Sequence, residues 1–165
     1  MKALSPQSPL PYAFGIMFKP HPQSEARKRS AAILIKDLLA AEKKPGILSA
    51  HCRELMSVLL WKTTLAESPK YKTRFQSLEA LRRRDKTKLR HDHVFQRSKM
   101  IAVLEKAAER EVDVILKKAF GCTVTISEDN RLSKFDKKCD GWARYRKAGS
   151  VVMNTQTCKR VIWAA

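Results

Sequence analysis

Residues 70–99, KYKTRFQSLEALRRRDKTKLRHDHVFQRSK, carry eleven Lys or Arg against three acids, Glu79, Asp85 and Asp92. Charge at this density cannot be packed away, because each buried ion without a partner costs several kcal/mol. The segment must therefore lie on the surface of any fold, and the core must come from the apolar residues on either side. It also supplies nearly half of the chain's formal +18.

The flanking chain is sufficient for one core. At 165 residues and 44% hydrophobic content it fits a single domain with an apolar interior. Residues 1–22 stand apart, since five of the seven prolines fall within 6–22. They are expected to form an extended arm that docks through Tyr12, Phe14, Ile16 and Phe18 or is left mobile, with His21 exposed between Pro20 and Pro22. The domain proper then spans 23–165.

Apolar spacing and chain punctuation divide that domain. Ser24 is a plausible N-cap for a helix to about Lys43, with Ala32, Ile35, Leu38 and Leu39 inward. Pro45-Gly46 ends it. A second helix fits 48–66 along Leu48, Cys52, Leu55 and Leu59, places His51 on or beside the apolar stripe as a core histidine, and stops at Ser68-Pro69. A short helix is expected over 76–86 with Leu78 and Leu81 inward, then a bend or strand over 87–95. A long helix follows over 96–119, ended by Gly121. Cys122–Ile126 is β-branched and reads as a strand, and Ser127 then caps a short helix over 128–135. Val151–Met153 and Lys159–Trp163 suit a hairpin. The expected fold is thus α+β, a mainly helical single domain with a small C-terminal β element.

A net charge of +18 and a pI near 10.1 point to a polyanionic partner, nucleic acid first and an acidic protein second. A phage-type inhibitor bound to an acidic enzyme would be one form of the second. No apolar run approaches the ~20 residues needed to span a bilayer, and no helix joins a strong apolar face to a uniformly basic one, so a membrane is not expected. The N-terminus lacks the apolar run of a signal peptide, and the four cysteines (Cys52, Cys122, Cys139, Cys158) include no C-x-x-C pair. Free thiols in a cytoplasmic protein are the expected reading, with a zinc site built from distant cysteines as the alternative.

The phosphate-facing candidates are Lys72, Arg74, Arg82, Arg83, Arg84, Lys86, Lys88, Arg90, Arg97 and Lys99, joined by Arg144 and Arg146 downstream. Trp142 and Tyr145 are interleaved with that last pair. They would stack on unpaired bases or, equally well, belong to the core.

Chemistry, if present, belongs to Arg90-His91-Asp92-His93. In an extended chain His91 and His93 share one face. A neutral imidazole can deprotonate a water or a 2′-hydroxyl, while neighbouring Arg or Lys hold a phosphate. The same residues could instead hold a divalent ion, Mg or Zn, through Asp92 and a histidine.

The run Leu-Arg-His91-Asp92-His93-Val94-Phe95-Gln96-Arg97 resembles the [DE]-H-[VI]-x-P block of HNH-type (ββα-metal) nucleases. The resemblance implies His93 as general base and Asp92 as the neighbouring metal ligand; the local reading adds His93 as a second metal ligand and His91 as a further catalytic candidate. Gln96 stands where that block has proline, and no histidine follows His93. The wider layout also looks like small bacterial proteins with an E-H-V-V-P-R block ahead of a helix. The sequence thus predicts nucleic-acid binding, with a metal-dependent or His-based nuclease as its catalytic form and a ribonucleoprotein component as its non-catalytic form.

Overall fold

The computed structural model describes residues 18–162. The first helix, α1 (Ser24–Ala41), turns back at Gly46, whose φ of +83° is accessible to glycine at no steric cost. Helix α2 (Ser49–Thr64) then packs against it. Three-residue strand β1 (Phe75–Ser77) leads directly into α3 (Leu78–Arg82), capped by the Ser77 hydroxyl, which accepts the Ala80 N–H. A 3₁₀ turn at Lys86–Lys88 precedes β2 (Leu89–His93) and α4 (Arg97–Leu104). Helix α5 (Val112–Leu116), β3 (Gly121–Thr125), α6 (Ile126–Ser133) and α7 (Trp142–Lys147) follow. The hairpin β4 (Val152–Asn154) and β5 (Lys159–Arg160) comes last.

The strands form one mixed sheet in the order β2-β3-β1-β4-β5. Strands β1 and β3 are parallel and all other pairs antiparallel. Every residue of β3 is buried, as expected of a central strand covered on both faces. One core lies among α1, α2, α4 and α5 around Ile35, Met56, Leu60 and Leu104. A second lies between the sheet and α6–α7, around Val94, Val124, Leu132 and Tyr145. The chain is a single α+β domain of the kind its sequence predicts.

Several local expectations are corrected. The helix expected over 96–119 breaks after Leu104, where Arg53 clamps Glu105 at 2.5 and 2.9 Å and the Glu111 carboxylate accepts the Ala108 N–H. Residues 76–77, expected to open a helix, belong with Phe75 to a strand, because they bridge β3 and β4. The cap of α6 is Thr125, not Ser127. The buried stripe of α2 is Cys52, Met56 and Leu60, so Leu48, Leu55 and His51 face outward and His51 is no core histidine.

Of the expected arm, Tyr12, Phe14 and Ile16 lie outside the described residues. Phe18 is buried and its N–H donates to the Thr155 carbonyl. His21 is half-buried, its Nδ1 accepting the Gln23 N–H. Cys52 and Cys122 sit in different cores, which separates the four thiols that a zinc site would have to gather.

Candidate nucleic-acid interface and the histidine strand

The register of β2 on β3 decides how the Arg-His-Asp-His run is used. His91 faces Thr123 and His93 faces Gly121, while Asp92 faces Cys122. Directly opposed residues of an antiparallel pair share a face, and successive residues alternate. Asp92 therefore points with buried Cys122 toward α6–α7, and the histidines point the other way, toward the end of α2.

On its own face Asp92 is committed. Its Oδ2 accepts from Arg144 Nη2 at 2.5 Å and from the Tyr145 hydroxyl. Arg144 also donates to the His93 carbonyl at 2.8 Å and to Asp136 Oδ1 at 2.7 Å. Gln96 donates to that same Asp136 oxygen at 2.9 Å. Burial pushes the Asp92 carboxyl up to about 6, against the pull of Arg144 and Tyr145. At neutral pH it is still ionised, and the pair is a buried ion pair.

The histidine face is different in kind. The two rings meet edge to face, 5.4 Å between centroids. Burial lowers His91 to about 4, with Lys70 and Arg97 adding to the effect, and lowers His93 to about 3. Both are neutral at pH 7. Thr64 Oγ1 lies 2.8 Å from the Trp61 carbonyl and 2.9 Å from His91 Nε2. The one hydroxyl proton goes to the carbonyl, so Nε2 must donate to Thr64, and the bare lone pair of His91 is on Nδ1. That Nδ1 is buried without a partner. His91 therefore has no lone pair exposed to a substrate.

The expected metal pair does not converge. Asp92 and His93 occupy opposite faces of β2, and among the described residues no three His, Cys, Asp or Glu side chains gather as a metal site would require. Helix α4 follows β2 directly, and the sheet partner β3 arrives only after α5. No family model, curated protein or solved structure matches the chain.

The basic residues divide by exposure. Arg144 is 4% exposed and belongs to the core, which corrects its place among the phosphate contacts. Lys99 is half-buried and spends its ammonium on the carbonyls of Asp136 and Cys139, at 2.6 and 3.0 Å. Arg97 is half-buried with a long contact to the Ser57 carbonyl, and Arg74 lies against the Phe75 ring. Tyr145 is fully buried and Trp142 packs beside it at 5.4 Å, so the aromatics belong to the core and not to a stacking platform.

Arg82, Arg83, Arg84, Lys86, Lys88 and Arg90 are exposed, as are Lys72 and Arg146. The first six crowd the connection from α3 to β2. None of the six forms an ion pair with a described residue. Asp85, the lone acid among them, accepts from the Thr87 hydroxyl and N–H at 2.6 and 2.9 Å, which pulls its carboxyl below the usual range.

Proposed function

We propose that this chain is a nucleic-acid-binding protein that holds the phosphate backbone with the Arg82–Arg90 connection, and that it binds without cutting. The observation that carries this reading is the set of six solvent-facing cations on nine consecutive residues, with no carboxylate among the described residues paired to them. A folded chain keeps such self-repelling charge where a polyanion relieves it, and phosphate contacts of this kind supply affinity without reading sequence.

Three features of β2 favour binding over catalysis. Asp92 is turned into the core, His91 has spent Nε2 on Thr64 and buries Nδ1, and His93 is left without an acidic partner on its face. The buried Arg144–Asp92 pair then serves to fix β2, and through it the cationic connection, on the sheet.

The test is a paired assay on supercoiled plasmid and on structured RNA, with and without Mg²⁺, at ~150 mM salt. The expected result is retention of both nucleic acids without strand scission, unchanged in His93→Ala. Scission abolished by His93→Ala would restore the nuclease reading. Failure to retain either nucleic acid would favour an acidic protein partner.

A further inference from the structure

A cleft opens at the other end of the sheet. The register places the Arg82–Arg90 connection at the carboxyl end of β3, since Leu89 faces Thr125. The amino ends of β1 and β3, about 14 Å away along the strand, open instead into a cleft of ≈ 650 Å³. Its walls are α1, the end of α2, the 67–75 segment and the turn into β3. That volume is in the range of pockets for small organic ligands.

The polar groups of the cleft are unevenly matched. Lys28 is held by Glu67 and Glu25 at 2.5 and 3.2 Å, and Lys36 by Asp113 at 2.7 Å. Those three acids are the carboxylates of the lining, and Arg29, Arg74 and Lys117 form no ion pair with any described residue. Arg74 is additionally fixed over the Phe75 ring at 4.9 Å, with its Nε buried and unpaired. Ser68, 7% exposed and part of the same wall, has a hydroxyl with no hydrogen-bond partner. Unpaired buried polar groups are costly in a native fold, and a bound acceptor would satisfy them. Phe120 completes the wall as a half-buried ring.

We infer that this cleft binds a phosphate-bearing ligand of mononucleotide size, with the phosphate between Arg29, Arg74 and Lys117 and the rest of the ligand against Phe120. The source is either a free nucleotide or the phosphorylated end of a strand. The site stands independently of the Arg82–Arg90 connection, from which it is separated by the length of β3.

The full-length protein is titrated calorimetrically with nucleoside 5′-monophosphates, with the matching nucleosides and with inorganic phosphate. Monophosphates are expected to bind at least about tenfold tighter than nucleosides. Arg29→Gln and Arg74→Gln are each expected to weaken them about tenfold or more, as lost charge-assisted hydrogen bonds do. Arg29 is exposed on α1, so its variant should fold even if Arg74→Gln does not. The triple variant Arg82→Gln, Arg83→Gln, Arg84→Gln is expected to bind monophosphates within twofold of wild type, which separates this site from the proposed backbone contact. In that triple variant, preference for an oligonucleotide with a 5′-phosphate over one without places a strand end in the cleft. Monophosphate binding with no such preference places a free nucleotide there, and either supports the inference. No binding of monophosphates by the wild type, or binding indifferent to Arg29→Gln, overturns it.

Discussion

The imidazole of His91 occupies the space that a β-carbon on Gly121 would need, so that such a carbon would strike His91 Cε1 and Nε2 and the Thr64 carbonyl oxygen. Gly121 is directly opposite His93 and lies two residues before Thr123, the partner of His91, on the same face of β3. The glycine that ends a helix in the sequence is in the fold the seat of a histidine ring. Gly121→Ala should therefore cost about 1–3 kcal/mol through overpacking, read as a lowered urea midpoint. It should also break the Thr64–His91 hydrogen bond, seen as a changed imidazole signal in NMR.

Histidine burial fixes the sign of one pH effect. His91 titrates near 4 in the fold against an ordinary value of 6.5, so the folded protein resists the proton that the unfolded chain accepts. Its contribution is fully present above pH 6.5 and is lost as pH falls toward 4. His91→Gln keeps a donor for Thr64 and removes the titration. Wild type should lose about 2–3 kcal/mol relative to that variant between pH 7 and 4, measured by urea unfolding at each pH. Parallel curves would contradict the assignment of a neutral, buried His91.

Arg144 is predicted to matter for stability and not for contact with a ligand. Arg144→Met leaves Asp92 buried without its cation and frees Asp136, and it should cost about 3–5 kcal/mol. Asp92→Asn keeps the shape while dropping the charge, and about 1–3 kcal/mol is expected. Equilibrium unfolding of both variants checks the order. A stable Arg144→Met protein with weakened nucleic-acid binding would reverse the assignment.

Glu128 is the corresponding polar anchor at the start of α6. Its Oε2 accepts from Ser77 Oγ at 2.5 Å, from the Thr125 N–H at 3.0 Å and from Thr125 Oγ1 at 3.1 Å. Thr125 and Glu128 thereby form a capping box that also ties β1 to α6. Glu128→Ala orphans these donors in a buried site and should lower stability by about 3 kcal/mol, visible as a drop in thermal midpoint.

The parts of this fold legible in the sequence are those with local causes. Pro45-Gly46 and Ser68-Pro69 bound α1 and α2, and the β-branched run after Gly121 is β3. Strand β1 was hidden because its three residues owe their conformation to β3 and β4, far away in the chain. The break between α4 and α5 was hidden because Met100, Leu104, Val112 and Leu116 all enter one core and keep a helical stripe across it.

At the site, the strand alternative for 87–95 put His91 and His93 on one face, and β2 does so with Asp92 on the other. The resemblance set Asp92 at a metal with His93 as the base beside it, and the register separates them. Thr64 could not be foreseen as the partner of His91, since it lies 27 residues earlier at the end of another helix. Nor could the cleft residues Arg29, Ser68 and Lys117 be singled out, because α1, the 67–75 segment and the turn into β3 meet only in the folded chain.

The central claim is that exposed cations between Arg82 and Arg90 meet nucleic-acid phosphates. Its most direct measurement is the slope of log Kobs against log salt for duplex DNA, taken on wild type and on the Arg82→Gln, Arg83→Gln, Arg84→Gln variant. Six phosphate contacts predict a slope of about −5, and removal of three reduces it to about −3. A slope near zero, or one identical in the two proteins, would contradict the account.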